Sequence, residues 1–226
     1  MQASVNIVIP TKSNSQGLIA LLNDLSGDSC IDKICVVADG HEAFDALPPL
    51  ASNTMSLLVP EGTGIQHMWN RGMDSVGRDK HIFFLNDDVR LHMSCATVLA
   101  ESLDQNSDIG LICPNYSSQD MPTDRSVVDT CRSRYDGTGG MAGFAMMLRN
   151  NLAAAWVFDE NLKWWYGDDD LVMWVTQTQR LQAVISHQAR CEHADSVTIR
   201  TNPPRNFGRI VEEDGIYFVS KWNGTQ

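Results

Sequence analysis

Five short runs, almost wholly apolar, punctuate the first half of the chain: residues 6–9 (NIVI), 34–37 (ICVV), 55–59 (MSLLV), 82–85 (IFFL) and 111–113 (LIC). A strand with one wet face alternates apolar and polar side chains, so runs like these belong to strands covered on both faces. Between them lie helical patterns. Leu18, Leu21, Leu22 and Leu25 share one face of residues 16–25. Ile65, Met68, Trp69 and Val76 do so over residues 65–76, and residues 96–103 are helical too. Buried strands alternating with helices predict the α/β class: a mostly parallel central sheet flanked by helices on both faces, with right-handed crossovers.

The second half loses this rhythm. Residues 115–140 are rich in Ser, Asp and Gly without a period, and they read as a lid or acceptor loop carrying Arg132 and Arg134. Residues 141–148 turn apolar again, and helices are predicted over 150–157 and 168–179. A tail from residue 201 carries Pro203-Pro204 and several arginines. At 226 residues the chain suits one domain. Its 28 Asp and Glu against 17 Lys and Arg, a formal charge of -11, argue against broad binding to nucleic acid or an anionic membrane face. The same surplus suits a hard cation. Six cysteines without a CxxC pair disfavour a zinc site. With no basic leader and no apolar run of spanning length, the expectation is a cytoplasmic protein with reduced thiols and no stable membrane insertion.

Ligands of open parallel sheets bind beyond the carboxyl ends of the strands. Here those ends bring Pro10-Thr11, Asp39 and Asn86-Asp87-Asp88 to one rim. The dinucleotide fingerprint, the Walker A loop and the G-x-S-x-G elbow are missing; Gly62-x-Gly64 lacks its third glycine. Asn86-x-Asp88 places two oxygen-bearing side chains on one side of an extended segment, which suits a divalent cation shared with a diphosphate. The same triplet also suits an Asx-turn or a helix cap.

Seven segments in order resemble the family 2 glycosyltransferases of the GT-A fold: NIVIPTKSN, VVADG, GIQHMWNRGM, FFLNDDV, GGMAGFAMMLRNNL, FDENLKWWYGDDDL and HADSVT, over about residues 5–200. The N-x-D form of the D-x-D motif is similar to that of rhamnosyltransferase-like members. The resemblance implies a metal-dependent, inverting transfer of a sugar from a nucleoside-diphosphate sugar to an acceptor hydroxyl. It divides the single domain into a nucleotide-binding half (1–113), an acceptor and catalytic half (114–200) and a C-terminal tail (201–226).

By this resemblance Pro10, Thr11, Asp39, Asn70, Asn86, Asp87 and Gly140 bind the donor. Apart from the resemblance, Arg200, Arg205 and Arg209 cluster in an acidic chain: they suit closure over the diphosphate, as guanidinium groups match phosphate, and by default they are solvated surface charges. By the resemblance again, Asp88 and His193 hold Mn²⁺ or Mg²⁺. Asp168, Asp169 and Asp170 form the acidic motif, with Asp168 the first choice of base and Asp169 the second. Gly167 stands where the family has Glu, and Trp174 where it has Arg. The three carboxylates also suit a helix start by charge alone. Trp164, Trp165 and Tyr166 form an acceptor platform or, equally, a hydrophobic anchor. The acceptor is a glycan, a protein or a modified nucleobase. Two other readings stay open: a sugar nucleotidyltransferase, and a non-catalytic sugar-nucleotide or glycan-binding module.

Overall fold

The computed structural model describes residues 4–12, 15–117, 124–128, 140–193 and 206–223. Its strands are β1 (Val5–Thr11), β2 (Ile31–Asp39), β3 (Thr54–Val59), β4 (His81–Leu85), β5 (Val89–Leu91), β6 (Ile109–Asn115), β7 (Arg125–Val128), β8 (Ala145–Leu148) and β9 (Gln182–His193). They form one sheet in the order β3-β2-β1-β4-β8-β6-β9-β5, with β7 also on β9. The neighbours β3, β2, β1 and β4 are parallel, as the apolar runs predict. Beyond them the sheet is mixed: β8 runs antiparallel to both β4 and β6, β9 is parallel to β6, and β5 and β7 are antiparallel to β9.

The apolar runs are explained by cores on both faces. Val8, Val37 and Phe84 enter one cluster with Trp69 and Met73 of helix α3 (Ile65–Val76). Ile7, Ile9, Val36 and Phe83 enter the other, with Leu21 of α1 (Ser15–Leu25) and Leu99 of α4 (Cys95–Gln105). Phe83 and Phe84 are fully buried on opposite faces, each contributing about 1.5–3 kcal/mol by burial. Gly72 sets the approach of α3 to the sheet: a Cβ there would lie 2.2 Å from Val8 Cγ1. Five cysteines, Cys30, Cys35, Cys95, Cys113 and Cys191, are free and buried. Burial pushes the Cys35 thiol up to about 11 and the Cys113 thiol up to about 12, so neither is a ready nucleophile.

Two expected helices differ and two helices are new. A short helix α2 (His41–Asp45) follows β2, and α5 ends early, at Asn150–Ala153. The Arg78 guanidinium takes the Ala153 and Trp156 carbonyls there. The helix expected over 168–179 is α6 (Gly167–Met173), followed by a wider turn, Trp174–Thr178. Thr176 Oγ1 donates to the Val172 carbonyl at 2.8 Å, a back-bond that loosens the ladder. The tail contains a 17-residue helix, α7 (Phe207–Asn223). Among the described residues no helix is long and apolar enough to cross a membrane.

Candidate active site

Strand register assembles the rim. Val8 of β1 pairs with Phe84 of β4. Three places further along, Thr11 reaches Asp87, and its hydroxyl donates to Asp87 Oδ2 at 2.6 Å. Pro10 and Thr11 pair with Val37 and Ala38, which puts Asp39 next on the same edge. Asp39 is buried; its Oδ1 accepts the Gly62 N–H at 2.7 Å, and Lys12 Nζ lies 3.9 Å from Oδ2. Burial pushes its carboxyl above the ordinary range against the pull of those two groups.

On the other side, Leu85 pairs with Ala145, so Asn86 falls beside Phe144 and donates its N–H to the Phe144 carbonyl at 2.9 Å. Val89 pairs with His193, which brings the imidazole to the neighbouring Asp88. His193 Nε2 and Asp88 Oδ1 are 3.1 Å apart, on side chains only 15% and 6% exposed. The His193 ring stacks on Phe144 with centroids 4.0 Å apart and planes 2° from parallel. Phe144 in turn meets Tyr116 edge-on at 5.5 Å, and Tyr116 Oη donates to the Gly140 carbonyl at 3.0 Å.

A carboxylate oxygen and an imidazole nitrogen form a mixed donor pair of the kind Mn²⁺ accepts. The 3.1 Å separation is that of a direct ion pair, and it also leaves both atoms near enough to bind one ion together. Among the described residues no group of three His, Cys, Asp or Glu side chains gathers for a metal. The pair alone would supply an ion with two protein ligands.

The acidic motif occupies the first turn of α6. Asp168 is half-buried, and its carboxylate lies against Gly143: a Cβ at residue 143 would fall 1.8 Å from Asp168 Oδ2. Its Oδ1 accepts the Asp169 N–H at 3.1 Å. Gly143 precedes Phe144, so one short segment touches Asp168 with one residue and His193 with the next. Asp169 is buried. Asp170 is fully buried and points elsewhere: its Oδ2 takes Lys221 Nζ at 2.9 Å and its Oδ1 takes Trp222 Nε1 at 2.9 Å, both from α7. Burial raises its carboxyl while Lys221 opposes the rise.

The approach to α6 is held from both sides. Asn70 donates to the Phe158 carbonyl and accepts the Phe158 N–H, both at 2.9 Å, and donates to Glu160 Oε1 at 3.0 Å. Ile65 N donates to the Lys163 carbonyl at 2.9 Å, and Gly64, at φ +101°, lets that carbonyl approach. Asp214 of α7 is buried and accepts the backbone N–H groups of Lys163, Trp164 and Trp165 at 2.9–3.1 Å. Trp165 packs near Phe207, and Tyr166 stacks on Phe218 at 5.2 Å. These two aromatics thus have an anchoring role, and Trp164 is half-buried beside them.

The rim brings together Pro10, Thr11, Asp39, Asn86, Asp87, Asp88 and His193, and Gly143 links it to Asp168. Arg132, Arg134, Arg200 and Arg205 lie outside the described residues. Sequence reading missed Phe144, Asp214, Lys221 and Trp222. The spacing of residues 214, 218, 221 and 222 on one helical face was the available signal.

No protein-family model matches the sequence, and no curated protein is significantly similar to it. Many solved structures share the fold. GalNAc-T7, crystallised with UDP, GalNAc and Mn²⁺, superposes with a TM-score of 0.67 at 11% identity over 99% of this chain. Staphylococcus aureus TarS 1–349 gives 0.59 at 13% identity over 98%, and its complex with UDP 0.60 at 13% over 96%. The chain spans about half (52%) of the GalNAc-T7 chain, and 73% and 65% of the two TarS chains. At these identities the shared property is the GT-A fold.

Proposed function

We propose that the chain is an inverting glycosyltransferase of the family 2 type, moving a hexose or pentose from a nucleoside-diphosphate sugar to an acceptor hydroxyl. The observation that supports this reading is the Gly143–Phe144 step: the Asp168 carboxylate lies against Gly143, and the His193 ring, paired with Asp88, stacks on Phe144. A general base and a cation site for the diphosphate, linked by one short segment, are what a single displacement needs. GT-A neighbours crystallised with UDP, one of them with Mn²⁺, support the donor class.

In this reading Asp168 takes the proton of the acceptor hydroxyl as its oxygen attacks the anomeric carbon. The new C–O bond forms as the bond to the diphosphate breaks, on the opposite face of the sugar. A positioned general base is worth roughly 10²–10⁴ in rate. Asp169 is the second choice of base, and Asp170 serves to fix the turn. Asp88 and His193 would hold Mn²⁺ or Mg²⁺, which would offset the negative charge growing on the leaving diphosphate. Asp39, with Pro10, Thr11, Asn86, Asp87 and Gly140, forms the donor side. Arg200 and Arg205 are proposed to face the diphosphate. Trp164 is the aromatic least committed to α7 and the first candidate for acceptor contact.

The test is a thermal-shift screen of UDP-, GDP- and dTDP-sugars with and without Mn²⁺, followed by turnover of the best binder. At least one donor should raise the melting temperature more with Mn²⁺ than without, and should release its nucleoside diphosphate. Binding that ignores the metal counts against the Asp88–His193 site. Binding without any turnover favours a non-catalytic module.

A further inference from the structure

We infer that Lys221 of the C-terminal helix is a positioning residue for sugar transfer, stapling the two ends of the 159–170 loop so that Asp168 is held over Gly143; this rests on the transferase reading above. The two ends of the loop carry buried or half-buried carboxylates, Asp159 and Asp170. One ammonium serves both: Lys221 Nζ lies 2.9 Å from Asp159 Oδ2 and 2.9 Å from Asp170 Oδ2. The neighbouring residues of α7 complete the fixture. Trp222 Nε1 donates to Asp170 Oδ1, and Tyr217 Oη donates to Asp159 Oδ2, each at 2.9 Å. Between the ends, Asp214 accepts three successive N–H groups of the loop.

These contacts come from residues 214, 217, 218, 221 and 222, one face of one helix. None of these side chains is assigned to the rim; they act on the loop that delivers the base. Asp170 and Asp168 share the first turn of α6, where Asp170 N donates to the Tyr166 carbonyl at 2.8 Å. Fixing Asp170 therefore fixes the rotation of the turn and the direction in which Asp168 projects. Without Lys221, a fully buried carboxylate loses its counter-charge, and it must either take up a proton or draw the turn toward water; both loosen its hold on the turn. The perturbed groups agree: burial raises Asp170, and the two carboxylates raise Lys221.

The experiment compares wild type, Lys221→Met, Lys221→Arg and Trp222→Phe as full chains, using the donor that turns over. A base displaced by about 1 Å loses on the order of 10²-fold in rate. Lys221→Met should lower kcat about 10- to 100-fold with donor KM within about threefold, since the donor side sits on β1, β2 and β4. Lys221→Arg, which keeps the charge, should recover most of that loss. Trp222→Phe, which keeps the packing and loses one donor, should fall between them and covers the case in which Lys221→Met does not fold. Folded Lys221→Met or Trp222→Phe with wild-type kcat overturns the inference alone. Equal damage to KM and kcat also overturns it. A wild type that binds donors yet turns none over overturns the transferase reading, and this inference with it.

Discussion

Replacing Gly143 with alanine presses directly on Asp168, the proposed base. An added Cβ would lie 1.8 Å from Asp168 Oδ2, 2.6 Å from its Cγ and 2.8 Å from its Cβ. Real Cβ atoms do not approach closer than 3.0 Å, so the carboxylate oxygen must retreat by the difference, about 1.2 Å. The Asp168 side chain has two rotatable bonds and can swing away, so the fold survives. The remaining squeeze on its Cβ should cost about 1–2 kcal/mol, the lower part of the overpacking range. A retreat of this size takes the base out of reach of the acceptor hydroxyl and should cost on the order of 10² in kcat, about 2.7 kcal/mol of barrier. Donor binding should stay within about threefold. The assay is nucleoside-diphosphate release under saturating donor and acceptor, with binding followed separately. Gly208→Ala is the control, because a Cβ there meets nothing within 4 Å. The Gly143→Ala, Asp168→Asn double variant should be no slower than Asp168→Asn alone, since both changes remove one function. A folded Gly143→Ala with kcat within threefold of wild type would falsify the placement of the base.

His193→Asn should weaken the Mn²⁺ enhancement of donor binding by about tenfold or more, read by titration calorimetry with and without metal; an unchanged enhancement removes His193 from the site. Asp39→Asn should raise the melting temperature at neutral pH while weakening donor binding. The sign follows from burial: the folded-state pKa of Asp39 is raised above 3.8, so wild type loses stability as the pH climbs through it, and the variant does not. The stability gap should therefore close below about pH 3.8; a gap that persists there, or a destabilised variant at pH 7, contradicts the assignment. Gly72→Ala, whose Cβ would meet Val8 Cγ1 at 2.2 Å, should lose about 1–3 kcal/mol in urea unfolding, and an unchanged midpoint would show that α3 packs otherwise.

The first half of the fold was legible because its strands are buried on both faces and parallel, so each reads as an apolar run with a polar end. The rim residues Thr11, Asp39 and Asn86-Asp87-Asp88 followed from that alone. β9 was not legible. Its twelve residues serve β6 with a register irregularity near Pro114–Asn115, and β5 and β7 on the other side, so no single alternation runs through QAVISHQARCEH. α7 was hidden by Gly208, Gly215 and the inward-facing Asp214, which break an apolar stripe. The buried face of this helix is chosen by polar contacts to the loop as much as by apolar packing. The acidic triplet was ranked in the sequence only by alignment to the family motif, with Asp168 first and Asp169 second. Burial separates them, because Asp170 faces α7 while Asp168 stays half-exposed at Gly143.

In the proposed mechanism one carboxylate on this rim, Asp168, drives sugar transfer without being needed to hold the donor. The most direct measurement is paired: donor affinity and donor turnover for wild type and Asp168→Asn, with Mn²⁺ and the nucleoside-diphosphate sugar that binds best. Equal affinity within about threefold and a loss of turnover of roughly 10²–10⁴ are expected. Equal turnover by the two proteins contradicts the mechanism.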